Sequence, residues 1–255
     1  MKSLLEDRVR KSRMPAKLDL IQSLSGLALA LFMWVHLLLV SSILISKDAM
    51  LFVTRMMEGS LSPSKEAGYP ILVRVGVGLI FFLFVLHAAL AMRKFPANWK
   101  QWRTMRSHVK MMKHGDTTQW WLQAITGFVM FFLGSAHLMI MWANNDRIGP
   151  YLSSDRFVHY GLWPMYLVLL FAVELHGAIG LYRLAVKWGI FDGKDPEKTR
   201  KRLKKAKWAI SIFFIGLGLA TFAAYVKIGL ERQREGKVGI PYHIERDAAN
   251  ETESD

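Results

Sequence analysis

Five blocks of this sequence are each twenty or more residues long, mostly apolar, and separated by short charged stretches. They cover 22–46, 70–94, 118–143, 159–188 and 204–230. At about 1.5 Å of rise per residue, each reaches across about 30 Å of hydrocarbon as a helix. A backbone inside a bilayer must satisfy its own hydrogen bonds, and an α-helix does so within a single segment. The expectation is an all-α polytopic membrane protein with five transmembrane helices. Residues 1–21 form a charged leader without a small-residue cleavage pattern, so the first block reads as a retained helix and not a signal peptide. Residues 231–255 read as a polar tail with little order.

The net charge of +14 could suggest a nucleic-acid partner, but its placement points to a membrane instead. Six Lys/Arg precede the first block, seven run from Arg93 to Lys113 around the junction of the second and third, and nine from Lys187 to Lys207 around that of the fourth and fifth. The loops on the other side carry three and two. This positive-inside bias places the N-terminus in the cytoplasm and the C-terminus outside. It also equips the cytoplasmic face for anionic lipid or an acidic partner subunit. After the first block, "DAMLFVTRMMEGS" spaces its apolar residues as a helix lying along the outer interface. Between the second and third blocks, Asp116 or Thr117 is the expected helix cap, with Trp120 and Trp121 as an aromatic anchor.

Cysteine is absent, which removes disulfides, thiolate metal sites, iron–sulfur ligation and covalent haem attachment. No phosphate-binding glycine loop or nucleophile triad is present. Any metal must therefore be held by histidine or carboxylate.

Histidine supplies the sharpest signal. Setting aside His159 at the very edge of the fourth block, four of the eight lie inside the apolar blocks, one in each of the first four: His36, His87, His137 and His176. Neutral imidazole is the natural axial ligand of haem iron, and facing helices of a bundle can supply two of them. Counted from the cytoplasmic end at about 1.5 Å per residue, His87 lies roughly 10 Å deep, His176 roughly 18 Å, His36 roughly 21 Å and His137 roughly 28 Å. That ranking pairs His87 with His176 and His36 with His137, at two depths. Four helices bundled around two stacked b haems would form an electron path across the bilayer. Gly127, Gly134, Gly177 and Gly180 leave room for a flat macrocycle. Arg183 and Lys187 follow His176 on nearly the same helix face, and Lys94 follows His87, as cations for haem propionates.

Glu174 stands two residues from His176, so their side chains diverge by about 200° and cannot act on one atom. A carboxyl in mid-membrane needs a partner or a proton. A histidine- and glutamate-based proton or ion transporter is the alternative from another functional class, and a purely structural anchor is a third reading.

The runs "KSRMPAKLD", "AMRKFP", "KHGDTT", "GFVMFFLGSAH" and "LLFAVELHGAIGLYRLAVKWG", with one histidine on each of four spans, resemble the dihaem cytochrome b subunit of quinol:fumarate reductases. The type is the single membrane anchor of the epsilon- and deltaproteobacterial enzymes, and the likeness covers about residues 10–230. The resemblance implies a flavoprotein subunit and an iron–sulfur subunit on the cytoplasmic side, in heterotrimers able to pair. It implies menaquinol oxidation near the outer haem (His36, His137), transfer to the inner haem (His87, His176), and fumarate reduction on the soluble partners. The same scaffold could run as a succinate:menaquinone reductase. By resemblance, Glu58 accepts a proton from menaquinol and Glu174 belongs to a transmembrane proton path. Gln22, Ser23, Trp120, Arg156 and Lys187 match positions around the haem propionates. The segment "GSLSPSKEAGYP" departs from the family's wording beside the quinol site.

Overall fold

A computed structural model describes residues 13–60, 68–112, 115–191 and 193–252, the side chains of 251 and 252 excepted. Much of the leader and most of the "GSLSPSKEAGYP" loop lie outside the described residues. Regular structure among the described residues is helical throughout: α1 (Met14–Val40), α2 (Lys47–Met57), α3 (Pro70–Met92), α4 (Trp99–Met112), α5 (Gly115–Ala143), α6 (Pro150–Val158), α7 (Trp163–Trp188), α8 (Pro196–Arg234) and α9 (Tyr242–Thr252). Five of these, namely α1 with its short extension to Leu44, α3, α5, α7 and α8, are long and apolar enough to cross a membrane.

Several helices outrun the apolar blocks that signalled them. α1 starts at Met14 with a proline in its first turn, and α8 starts at Pro196, where the Asp195 side chain accepts the Lys198 N–H at 3.0 Å. Lysine and arginine are good helix formers, so a helix can continue past its apolar stretch into water. α8 reaches 39 residues. α5 begins at Gly115, ahead of the expected cap, and leaves Asp116 in the first turn, where a negative charge suits the helix dipole. The fourth span starts four residues later than the expected 159, and a short helix outside the expected block precedes it. Gly161 has a φ of +65° and Pro164 can only open a helix, so α7 starts at Trp163 and residues 150–158 form the separate helix α6. α1 ends where the Ser41 and Ser42 hydroxyls donate to the carbonyls of Leu37 and Leu39 at 2.7 and 2.6 Å. α2 opens on Ser46, whose side chain accepts the Ala49 N–H.

α1 packs on α3, α3 on α5, α5 on α7, and α7 back on α1, closing a four-helix ring. α8 lies outside the ring against α7 and α6. Its buried residues, from Lys207 through Ser211, Phe214, Gly218, Thr221 and Tyr225 to Gly229 and Arg232, recur every three or four positions. That is the seam of a helix with one covered face. Outward-facing Leu79, Phe82, Phe132 and Ile212 are each more than 60% exposed, as expected of a surface whose solvent is lipid. The alternation of spans puts the heads of α1, α5 and α8, the C-terminal ends of α3 and α7, and all of α4 at one end. This end carries most of the Lys/Arg and is called the basic face below. α2, α6 and α9 lie at the far face. The last segment is more ordered than the composition predicted: α9 folds back onto the far face through ion pairs to Arg232 and Asp48.

Candidate functional site

The ring geometry sets which histidines can meet. α1 stands diagonally across from α5, and α3 across from α7. His36 of α1 and His137 of α5 have ring centroids 6.3 Å apart. His87 of α3 and His176 of α7 have centroids 6.5 Å apart. Each pair occupies one diagonal, so the rings matched by depth are the rings that face each other. Two imidazoles bonded to opposite sides of one iron, each nitrogen about 2 Å from the metal and each ring centre about 1 Å behind its nitrogen, have centroids about 6 Å apart. Both pairs therefore fit bis-histidine haem ligation. Among the described residues no three His, Asp or Glu side chains converge as a metal cluster.

Orientation of the basic-side pair strengthens the fit. His87 Nδ1 lies 3.1 Å from the Gln22 carbonyl and 3.1 Å from Ser25 Oγ. His176 Nδ1 lies 2.9 Å from the Gln123 carbonyl. A carbonyl can only accept, so each Nδ1 carries the proton and each Nε2 keeps a free lone pair. Gly26 and Gly127 make the room for these rings: a Cβ at either position would stand 2.7 Å and 3.0 Å from the His87 and His176 rings. A cavity of about 290 Å³ opens beside the pair, walled by Ala30, Met33, Phe84, Ala88 and Phe128. The far-side pair has a different setting. Tyr166 stands edge-on to His137 at 5.5 Å, and His137 Nδ1 is buried without a partner among the described residues.

The expected propionate residues divide between the two ends. At the basic face, Asp19 is shared by Lys94 and Lys187. Lys187 also donates to Ser23 Oγ at 3.0 Å, and Arg183 donates to Gln123 Oε1 at 2.5 Å. Gln22 belongs to the same end, with its side-chain oxygen buried and unpartnered among the described residues. Trp120 joins an aromatic group at the head of α5, tilted against Phe95 and edge-on to Trp121. Arg156 lies apart from these residues, on α6 at the far face. It is buried, bonded to Ser153 Oγ and the Arg147 carbonyl and within hydrogen-bond reach of Tyr166, which places it near His137. Asp19 was not singled out in the sequence, because an isolated acid in a basic leader carries no pattern. Gln123 could have been found as a polar residue inside an apolar block.

Glu174 faces away from both histidine pairs. It is fully buried between α7, α1 and α8, with Oε2 accepting the Trp34 indole N–H at 3.1 Å, a hydrogen bond to Ser211 and Oε1 unpartnered among the described residues. Trp34 and Ser211 were not foreseen, because nothing local ties them to residue 174. Glu58 closes α2 at the far face, where the Tyr69 N–H donates to its carbonyl at 2.7 Å. Its half-buried carboxyl is held above the ordinary carboxylate range by burial, with Arg55 acting against the shift and Asp146 adding to it.

Residues 100–218 match the family model described as succinate dehydrogenase/fumarate reductase transmembrane subunit. The chain is 57% identical over 223 residues to the fumarate reductase cytochrome b subunit of Wolinella succinogenes, covering 88% of this chain and 86% of that protein. It is 51% identical over 239 residues to the Helicobacter pylori protein of the same description, covering 94% and 91%.

Proposed function

Because the chain belongs to the family of fumarate reductase cytochrome b subunits, we propose that it oxidises menaquinol at the far, periplasmic face and passes the electrons through two b haems to cytoplasmic iron–sulfur and flavoprotein subunits that reduce fumarate. The observation that carries this reading is the pair of histidine couples on the two diagonals of the ring, at 6.3 and 6.5 Å. His36 and His137 would hold one haem and His87 and His176 the other, and haem so held supplies reversible one-electron transfer. Gln22, Ser23, Arg183 and Lys187 would meet propionates at the basic face, with Trp120 beside them, and Arg156 would do so at the far face. The direct test is the haem content and reduced-minus-oxidised visible spectrum of the purified complex. Two b haems per chain is the expected result, and no b-type absorbance would remove the reading.

Quinol oxidation releases protons as well as electrons, and Glu58 is the base proposed to accept one at the far face. Its burial favours that role, since a raised carboxyl binds a proton more readily. The same shift sets the pH dependence. As pH falls through the raised value, Glu58 arrives already protonated, so quinol oxidation declines at a higher pH than an exposed carboxylate would impose. Glu58→Gln is expected to lower menaquinol oxidation by about 10²–10⁴-fold, while the haem spectrum and fumarate reduction from a soluble dye donor stay unchanged. A variant that oxidises menaquinol at the wild-type rate refutes the assignment.

Glu174 is the residue proposed to carry protons through the membrane, offsetting the charge moved by the electrons. The indole and hydroxyl at its head, with one oxygen free, support a carboxyl that can exist in either protonation state without leaving its place. In proteoliposomes, Glu174→Gln is expected to slow turnover sharply. Unimpaired turnover with no membrane potential generated would remove the role.

A further inference from the structure

The reading above leaves α4 without work. Its fourteen residues contain no Asp or Glu and carry Lys100, Arg103, Arg106 and Lys110. At 100° per residue, Trp99, Trp102, Met105, Val109 and Met112 fall on one arc, and Arg103, Arg106 and Lys110 cluster along its edge. The helix sits between the C-terminal end of α3 and the head of α5 and packs on α5. It therefore lies beside the ring at the level where the spans leave hydrocarbon. Among the described residues none of Arg103, Arg106 and Lys110 has an acidic partner, in contrast to Lys94, Lys187 and Lys204 on the same face.

Between α4 and α5 lies a groove of about 430 Å³, walled by Trp99, Trp102, Val109 and Trp121 and rimmed by Arg103, Arg106 and Lys110. Trp102 and Trp121 meet at 5.7 Å and Phe95 joins them, so the wall continues the aromatic belt expected at a headgroup boundary. Trp99 stays 74% exposed. A soluble anion would find the cations but gain nothing from the tryptophans, and a neutral lipid would gain only from the tryptophans. We infer that this groove is a binding site for an anionic phospholipid, its phosphate held by Arg103, Arg106 and Lys110 and its glycerol and upper acyl chain against Trp99, Trp102 and Trp121. The cluster has the size and placement of basic segments that recognise acidic headgroups, combined with the apolar face of an interfacial helix.

The test is lipid retention by the purified complex, measured by native mass spectrometry after addition of dioleoylphosphatidylglycerol or dioleoylphosphatidylcholine. Wild type is expected to hold the anionic lipid at least about tenfold more tightly than the zwitterionic one. Arg103→Gln, Arg106→Gln and Lys110→Gln combined should abolish that preference. Lys198→Gln, Arg200→Gln and Arg202→Gln combined remove the same charge from exposed positions at the head of α8 and should leave it intact. Trp99→Ala, which keeps every cation, should weaken the anionic lipid by a smaller factor. Equal loss in both triple variants would reduce the effect to diffuse charge and overturn the site. An α4 triple variant that keeps the lipid but sheds the iron–sulfur and flavoprotein subunits would overturn it too, by making this face a protein-docking surface.

Discussion

If each histidine couple holds one haem as proposed, His176→Ala is expected to lower the haem content of the purified complex from two per chain to one, and His36→Ala, made separately, to lower it from two to one by removing the other haem. The expectation follows from the separation of the two couples. Each occupies its own diagonal of the α1–α3–α5–α7 ring, and no residue is common to both. Loss of His176 leaves His87 still oriented by the Gln22 carbonyl, but a single imidazole no longer clamps a macrocycle from both sides. The ring would also lose the contact that fills the space beside Gly127. In a redox titration of the visible spectrum, His176→Ala and His36→Ala should therefore delete different components. His108→Ala and His159→Ala, at exposed positions, should retain both. If either single variant lost both haems while the helices stayed folded, the assignment of two independent sites would be wrong.

How much of this was legible from the residues depended on whether the governing interaction was local. Five spans could be read because a bilayer-crossing helix must be apolar over its whole length, a constraint that each segment meets alone. The facing of His36 with His137 and of His87 with His176 could be read because rise per residue converts position into depth. Span ends were less legible: nothing apolar marks where α1 or α8 begins, since lysine-rich turns remain helical in water. The start of α7 at Trp163 followed from Gly161 and Pro164, signals that were present inside a block read from residue 159 onward. Illegible were the contacts that join residues far apart in sequence. Asp19 meets Lys187 across 168 positions and Glu174 meets Trp34 across 140. The outer side of Arg156 was legible from the alternation of spans, but its approach to Tyr166 beside His137 was not.

The C-terminal segment shows the same limit and supplies the largest expected effect on stability. Its alternating charges suggested little order, yet Arg232 and Asp155 are both buried, with side chains 4% and 2% exposed. Arg232 Nε donates to Asp155 Oδ1 at 3.0 Å, and Nη2 donates to the carbonyls of Lys237 and Ile240 at 2.5 and 2.8 Å. The guanidinium also reaches Glu245 at 3.2 Å and lies 4.0 Å over the Tyr151 ring. Asp155 Oδ2 accepts the Gly239 N–H at 2.8 Å. One ion pair thus joins α6, the end of α8 and the turn that delivers α9. Arg232→Met would strand the Asp155 carboxylate in a buried site with a single backbone donor. Breaking such a pair from one side costs about 3–5 kcal/mol, whereas replacing both partners leaves no charge to strand. The expected results are a marked loss of heat resistance in detergent for Arg232→Met, with early proteolytic release of α9, and substantial recovery in the double variant Asp155→Leu, Arg232→Met. Because Arg156 follows Asp155 directly, loosening α6 should also move the far-side haem component in the redox titration and leave the basic-side component where it was. An Arg232→Met protein as heat-resistant as wild type would show that α6 is held without the ion pair.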